Sequence, residues 1–202
     1  LIHFKLNGQL FLDAGKNNYD MRFTRIILHF TDGTRLLFND SRKFGWMKIV
    51  ENFQEPANRA IEPFQANFTF ENFKNILAKS RKPVKILLMD QEKIGGIGNI
   101  YANESLFAAR INPFRLANSL ALQEAKKLHQ AILRILQKAV DCKGSSGKDE
   151  WYRQMDGTPG CYQKHFLVYQ RDGQICPANC GGKIIREKQA GRSTFFCPKC
   201  QK

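Results

Sequence analysis

The sequence predicts an α+β protein in which a β segment, a helical segment and a cysteine-rich segment follow one another along the chain. In residues 1–52, apolar residues recur with period two, which is typical of strands. In residues 67–142 they recur every three or four positions, which is typical of amphipathic helices. Residues 164–202 hold four of the six cysteines as two close pairs, a pattern that favours a small metal-stabilised module.

The β segment contains short alternating runs at residues 4–6, 10–12 and 24–30. Asp32-Gly33, after the third run, is a dipeptide typical of hairpin turns. These strands are too few to close a sheet, and the chain opens at Leu1 in an apolar run with no initiator Met. We therefore expect an upstream part of the same domain outside this chain.

Residues 53–66, which include Pro56 and Pro63, predict a linker before the helices. Thr69 can cap a first helix, and Pro83 suits the first turn of a second. A third helix is expected from Asn99 to about residue 109. A long amphipathic helix follows, with an apolar face formed by Ala125, Leu128, Ile132, Ile135, Leu136 and Ala139. Its basic residues are most simply a solvated surface: Lys126, Lys127, Arg134 and Lys138. Residues 143–163 are rich in glycine and serine and predict a mobile loop.

The amino-acid composition limits which partners and which cellular compartment are expected. The 202 residues carry 32 Lys plus Arg against 18 Asp plus Glu, a net charge of +14, which favours a polyanion such as nucleic acid. A basic surface that binds no polyanion would give the same excess of basic over acidic residues and is the alternative. The sequence shows neither a long apolar run nor a signal peptide, so we expect a cytoplasmic protein without a membrane partner.

The cysteine spacing predicts a structural zinc site. Three residues lie between Cys176 and Cys180, sixteen between Cys180 and Cys197, and two between Cys197 and Cys200. Four thiolates close a tetrahedral Zn²⁺ site, and in a reducing compartment this is favoured over two disulfides or unligated thiols. Two short β runs lie between the pairs and place Arg192 near the tip of a hairpin, either solvated or reaching into a DNA groove. The remaining cysteines have no partner visible in the sequence.

Two short motifs can contact nucleic acid. Residues 95–101 (GGIGNIY) do not fit a dinucleotide loop, but they can place backbone amides and a helix N-terminus beside a phosphate; a plain turn between helices is the alternative. Residues 40–45 (DSRKFG) place Arg42 and Phe44 on a tight turn. An exposed Phe44 could wedge between base pairs, whereas a Phe44 packed into the sheet would be part of the core.

Six motifs occur in one order along nearly the whole chain: residues 3–8, 40–45, 85–91, 95–102, 168–171 and 191–202. Together they resemble the bacterial formamidopyrimidine-DNA glycosylases of the Fpg/Nei family. The resemblance implies a base-excision repair enzyme that removes oxidised purines, such as 8-oxoguanine and formamidopyrimidines, and then cleaves the abasic site. It implies part of an N-terminal β-sandwich (residues 1–52), a helix-two-turn-helix domain (67–142), a loop that covers the lesion (143–163) and a zinc-finger hairpin (164–202).

The same resemblance assigns roles to individual residues. Lys85 and Asn99 would hold phosphates next to the lesion. Arg192 would hold phosphates from the finger, with a further role in elimination. Arg42, Phe44 and Leu6 would fill the gap left by the flipped nucleotide, with Leu6 standing where the family usually has Met. The expected partner is damaged double-stranded DNA, bound by a monomer with one structural zinc.

The resemblance also predicts what this chain lacks. The family attacks the sugar with an N-terminal Pro amine, aided by a Glu and a Lys, and none of the three has a match here, so we expect this chain alone to be inactive. A His that contacts DNA in relatives is Phe23 here. Three alternatives stay open: an endonuclease VIII-type enzyme for oxidised pyrimidines, a non-catalytic module that binds damaged DNA, and a zinc-ribbon protein that binds RNA or the ribosome.

Overall fold

The computed structural model describes residues 1–13, 21–52, 60–146 and 152–202. It divides into two compact units, one made of residues 1–54 and 139–164 and the other of residues 55–138 and 165–202. Residues 53–59 of the predicted linker and residues 147–151 of the predicted loop lie outside the described residues.

The first unit is built on antiparallel strands. Its described strands are β1 Ile2–His3, β2 Gln9–Asp13, β3 Thr24–His29, β4 Arg35–Asn39 and β5 Trp46–Met47. One sheet has the order β2-β4-β3, and β1 pairs with β5 in a second sheet. The turn between β3 and β4 is the predicted hairpin, because Asp32 Oδ1 accepts from the Thr34 amide at 2.9 Å and Gly33 has φ 85°.

The three-stranded sheet buries Phe11, Leu37 and Phe38. The segment that precedes residue 164 returns to this sheet: the Leu12 amide donates to the Met155 carbonyl at 2.8 Å. The Arg153 amide donates to Gln9 Oε1 at 3.0 Å. The last part of the predicted loop is therefore bonded to β2.

The described helices are α1 Phe70–Ala78, α2 Val84–Leu88, α3 Asn99–Ala108 and α4 Leu122–Asp141. Thr69 Oγ1 accepts from the Asn72 amide at 3.2 Å and caps α1 as predicted. Pro83 lies immediately before α2, where its fixed φ suits a helix start. Ile61, in the predicted linker, pairs with Ile94 and packs in the core of the second unit.

The helices of the second unit enclose one apolar cluster, since their buried faces follow the helical spacing of the sequence. Its fully buried members include Phe73, Val84, Leu88, Ile94, Ala102, Leu106, Leu128 and Ile132. A smaller cluster joins α3 to the cysteine module through Phe107, Val168, Ile184 and Phe195. The module has its own core and is also packed against a helix.

The module ends in a hairpin of β6 Ile185–Gln189 and β7 Arg192–Phe196. Its two connecting residues, Ala190 and Gly191, have φ values of 46° and 78°, the left-handed pair that a tight two-residue hairpin turn requires. Arg192 therefore follows the turn directly, as predicted. Strands and helices occupy separate parts of the chain, which confirms the α+β class. No helix among the described residues is long and apolar enough to span a membrane.

Candidate nucleic-acid interface and metal centre

The four cysteines of the finger converge as predicted. The thiols of Cys176, Cys180, Cys197 and Cys200 all lie within 4.8 Å of one another. The Sγ atoms of Cys176 and Cys200 are 3.7 Å apart, and those of Cys180 and Cys197 are 3.5 Å apart. A tetrahedral zinc with Zn–S bonds of about 2.3 Å requires sulfurs about 3.8 Å apart. The donor set therefore fits one structural zinc ion.

The backbone around the sulfurs is adapted to hold them. A Cβ at Gly182 would lie 2.9 Å from Cys197 Sγ, so a side chain there would displace the sulfur. Hydrogen bonding by the Gly182 amide lowers the pKa of Cys180 to about 7, whereas burial raises the pKa of Cys176 and of Cys200. The extra residue between Cys176 and Cys180 is thus accommodated without moving either sulfur out of the cluster.

Lys85 of α2 and Asn99 of α3 meet at one atom of the hairpin, the carbonyl oxygen of Ser193. Lys85 Nζ donates to it at 3.1 Å, and Asn99 Nδ2 also donates to it at 3.1 Å. Lys85 makes a second bond, to Thr194 Oγ1 at 2.8 Å. Both predicted phosphate ligands therefore bind the strand that begins with Arg192.

Lys85 is fully buried, which is unusual for a lysine outside an ion pair. Burial, together with the positive charge of Arg192, lowers the pKa of Lys85 to about 8. Two acceptors use two of its three N–H bonds, and the third can point elsewhere. Lys85, Asn99 and the exposed Arg192 thus form a compact cationic and amide-rich cluster, which we call the phosphate cluster.

The N-terminus of α3 completes this cluster. Gly98 is the N-cap residue and makes no side-chain capping bond, and the N-terminus of a helix carries a partial positive charge. The glycine turn before it is held by Gln91, which accepts from the Gly96 amide at 3.0 Å and donates to the Ile97 carbonyl at 2.9 Å. The predicted turn between α2 and α3 is therefore rigidly placed.

Two polar residues of α3 that the sequence analysis did not single out also fix the hairpin and the segment before it. Asn103 Oδ1 accepts from the Phe195 amide at 2.8 Å, and Asn103 Nδ2 donates to the Asn99 carbonyl at 2.7 Å. The buried Glu104 carboxylate accepts from the amides of residues 167–169 at 2.8–3.0 Å. Asn-x-x-x-Asn-Glu in a largely buried helix is the signal that could have identified them.

The Asp40 turn organises the candidate DNA-contacting residues of the first unit. Asp40 is buried, and its carboxylate accepts from the Arg42 amide at 2.9 Å and from the Gly45 amide at 2.6 Å. Burial alone would raise the pKa of Asp40, but these amides hold it below the usual value. A Cβ at Gly45 would lie 2.6 Å from the Phe38 ring, so only glycine fits.

The turn presents Phe44 and Arg42 outward. Phe44 is 54% exposed, which excludes the alternative that it packs into the sheet core. The Arg42 guanidinium lies 5.3 Å from the centre of the Phe44 ring, within cation–π range. A rigid turn that exposes an aromatic ring beside a guanidinium has the chemistry to insert into a base stack.

Leu6 lies on the neighbouring turn of the same unit. Strand pairing matches His3 with Trp46 and Gln9 with Asn39, so the turn over residues 4–8 and the turn over residues 40–45 leave the sheets side by side. Leu6 is 64% exposed. The structure therefore brings Leu6, Arg42 and Phe44 to one edge of the first unit.

Three family models match the chain. The formamidopyrimidine-DNA glycosylase N-terminal domain matches residues 1–47, the H2TH domain of the same glycosylase matches residues 60–150, and the zinc finger found in FPG and IleRS matches residues 170–202. The family's N-terminal domain is thus represented in this chain by residues 1–47. That this chain has no match for the family's Pro, Glu and Lys stays a prediction.

Relatives and solved structures agree with the models. The formamidopyrimidine-DNA glycosylase of Heliobacterium modesticaldum is 37% identical over all of this chain and 74% of its own length. That of Chloroflexus aurantiacus is 42% identical over 99% of the chain and 72% of its own length. The Fpg (MutM) crystal structure from Thermus thermophilus superposes with a TM-score of 0.84 at 39% identity, covering 99% of this chain and 74% of that one.

A Lactococcus lactis Fpg variant in complex with Fapy-dG containing DNA superposes with a TM-score of 0.85 at 30% identity, covering all of this chain and 74% of that one. The helix-two-turn-helix and zinc-finger architecture is therefore shared along the chain. The zinc-compatible cysteine cluster, the phosphate cluster and the Asp40 turn lie within the matched ranges. The chain belongs to the formamidopyrimidine-DNA glycosylase family.

Proposed function

We propose that this protein excises oxidised purines, 8-oxoguanine and formamidopyrimidines, from double-stranded DNA and cleaves the resulting abasic site. The observation that carries the proposal is the Asp40 turn, which exposes Phe44 with Arg42 against it. A glycosylase must take its target base out of the stack and fill the space that remains. An exposed ring on a turn fixed by a buried carboxylate can do this without rearranging the protein.

In this proposal the apolar side chains of Phe44 and Leu6 fill the space that the everted nucleotide leaves in the base stack. Arg42 donates a hydrogen bond to the base left without a partner. Unstacking costs a few kcal/mol per base step. Preorganisation lowers the remaining cost, because the Asp40 carboxylate already holds the amides of Arg42 and Gly45. An oxidised base weakens its own stacking and pairing, which favours eversion of the damaged nucleotide over a normal one.

The phosphate cluster holds the backbone beside the lesion. Arg192 is exposed at the hairpin turn, and α3 begins after Gly98, which makes no side-chain capping bond. Phosphate oxygens accept readily from guanidinium groups and from helix N-termini. Lys85 and Asn99 contribute by fixing the Ser193 carbonyl and thereby the strand that carries Arg192.

The zinc site supplies structure and no chemistry to the reaction. Cys176, Cys180, Cys197 and Cys200 would provide all four ligands of a closed site, which has no open position for water or substrate. Metal binding therefore stabilises the base of the hairpin, and through it the position of Arg192.

Bond cleavage in this proposal requires an amine. The amine attacks C1′ and loses its proton, and the base departs with the electrons of its glycosidic bond and gains a proton. The C1′–O4′ bond then opens with O4′ taking a proton, and the resulting iminium acidifies the neighbouring C2′ proton. Loss of that proton expels the 3′-phosphate and cuts the strand. By the family resemblance this amine is an N-terminal Pro, and the residues described above hold the DNA for it.

The complexes of relatives support the substrate class. Lactococcus lactis Fpg is described with abasic-site DNA and with Fapy-dG containing DNA, and a MutM with carbocyclic 8-oxo-G containing DNA. The motif Arg42-Lys43-Phe44-Gly45 favours the purine branch over the endonuclease VIII type. We further propose that the protein acts as a monomer, in the bacterial cytoplasm with the nucleoid.

Borohydride trapping tests the proposal. The protein is incubated with duplexes containing 8-oxoguanine, thymine glycol or only normal bases, and binding is measured in parallel. A covalent product with 8-oxoguanine is the result that supports the catalytic part of the proposal, and mass mapping then identifies the amine. Product with thymine glycol alone would identify an enzyme for oxidised pyrimidines, and equal binding to all three duplexes would overturn the proposal. Selective binding to 8-oxoguanine without a product would leave damage recognition alone and overturn the catalytic part.

A further inference from the structure

Two cysteines outside the zinc site lie together in the first unit. Cys142 follows α4, and Cys161 follows the glycine-rich segment; both are half-buried thiols in the structure. Their Sγ atoms lie within 4.8 Å of each other. The Cys161 amide also donates to the Cys142 carbonyl at 2.9 Å. The sequence, in which eighteen residues separate them, does not show this proximity.

The backbone around the pair forms a tight clasp. The Tyr162 amide donates to the Gly144 carbonyl at 3.0 Å, and the Gly160 amide donates to Ser146 Oγ at 2.7 Å. A Cβ at Gly160 would lie 2.3 Å from the Gly144 carbonyl oxygen, so the two segments cross in direct backbone contact. This contact holds the two thiols opposite each other at the neck of the loop over residues 143–160.

We propose that Cys142 and Cys161 are a reversible dithiol–disulfide site that closes the neck of this loop, with a low-molecular-weight disulfide as the oxidant. One thiolate attacks the oxidant, forms a mixed disulfide and releases one small thiol. The other thiolate then attacks the mixed disulfide and releases the second small thiol. Two protein thiols lose two electrons, the oxidant gains them, and the two protons pass to the released thiolates.

The geometry favours the second step. A disulfide needs S–S of about 2.05 Å and Cβ atoms about 3.8 Å apart. Rotation of the two side chains can bring sulfurs already within 4.8 Å to bonding distance, because the clasp keeps the backbones together. Held so closely, the second thiolate attacks as an intramolecular group at high effective concentration. An effect of the closed neck on lesion handling rests on the proposed function, but formation of the bond does not.

The experiment uses the full, zinc-loaded chain and oxidised glutathione as the probe. Trypsin places Cys142 in the peptide of residues 139–143 and Cys161 in that of residues 154–164, apart from all four zinc ligands. We expect a cross-linked pair of these peptides, lighter than their sum by two hydrogens, with zinc retained and the bond reversed by dithiothreitol. Cys161→Ser and Cys142→Ser should each stop at a glutathione adduct on the remaining cysteine.

Three results would overturn the proposal: wild-type protein that stops at the mixed adduct, no oxidation of either thiol, or oxidation confined to the zinc ligands. Zinc content and circular dichroism of the two variants show whether they fold. Excision of 8-oxoguanine is assayed separately in the reduced protein. Its failure would count against the proposed function and leave the disulfide result intact.

Discussion

Lys85 Nζ donates to Thr194 Oγ1 at 2.8 Å, although the two residues are 109 positions apart in the chain. The bond joins the short helix α2 to the strand that begins with Arg192. It also places a buried ammonium group next to a guanidinium, and burial with that neighbouring charge lowers the pKa of Lys85. The position of Arg192, which we propose binds phosphate, thus depends on a lysine that is itself buried.

The first prediction concerns the pH dependence of stability. Lys85 has a pKa of about 8 in the fold against an ordinary value of 10.5, so between these values the unfolded chain binds more protons. The free energy of unfolding should therefore rise with pH across this window. In Lys85→Met this contribution disappears, so wild type should gain stability relative to the variant as the pH rises from about 8 to about 10.

Chemical denaturation at several pH values measures this difference, and titrations common to both proteins cancel. Lys74→Met is the matched control, because Lys74 forms an exposed ion pair with Glu71 at 2.8 Å on α1. Its pH trend should follow wild type. Parallel curves for wild type and Lys85→Met would show that Lys85 titrates normally.

The second prediction concerns the hairpin. Arg192→Ala should weaken duplex binding and reduce the slope of log K against log salt concentration by about 0.9, the value for one phosphate contact. Lys188→Ala removes the same charge from an exposed position on the other strand of the same hairpin, opposite Ser193. Fluorescence anisotropy over a series of salt concentrations measures the duplex affinity of both variants and compares their slopes. An unchanged slope in Arg192→Ala would exclude a phosphate contact.

The third prediction concerns the wedge. Phe44→Ala should lower the affinity for an 8-oxoguanine duplex about tenfold, which is equivalent to about 1.4 kcal/mol. The inserted ring would thus offset part of the unstacking cost, which is a few kcal/mol. Stability should change little, since the ring is 54% exposed. A 2-aminopurine beside the lesion reports unstacking by its fluorescence.

Phe30→Ala serves as the control for this variant, because Phe30 is 47% exposed and lies next to the Asp32 turn, at the opposite end of the sheet from the Asp40 turn. It should bind and unstack the duplex like wild type. Equal losses in both variants would mean that Phe44 acts only as general apolar surface.

The fourth prediction concerns the metal. Cys197→Ser should lose the zinc, because Cys197 is a buried member of the four-thiol cluster and a structural site needs all four ligands. Elemental analysis should find about one zinc per chain in wild type and almost none in the variant. The finger should then unfold, with loss of the tertiary NMR signals of β6 and β7. Cys161→Ser should retain zinc, and stoichiometric zinc in Cys197→Ser would refute the ligand assignment.

Much of the fold follows from local rules that act within a few residues. The Asp32-Gly33 turn, the Thr69 cap, the start of α3 at Asn99 and the Ala190-Gly191 turn all lie where the sequence predicts them. The zinc-compatible cluster also follows from spacing, because two thiolate pairs, each with two or three residues between its members, converge on one ion.

The contacts that position the candidate site could not be predicted in this way. Ser193 presents only a backbone carbonyl to Lys85 and Asn99, and a carbonyl carries no residue signature. Whether Phe44 is a core residue or an exposed wedge depends on how Asp40 and Gly45 pack against Phe38, which local pattern leaves open.

The sequence by itself determined the α+β class, the family and the four zinc ligands, since periodicity, capping residues and ligand spacing are properties of short segments. Only the tertiary structure decided that Lys85 is buried against β7, that Leu6 lies beside the Asp40 turn, and that Cys142 faces Cys161. Such long-range contacts depend on strand register and on the packing of distant segments. The energy of each is shared among many residues, and no short pattern in the chain records it.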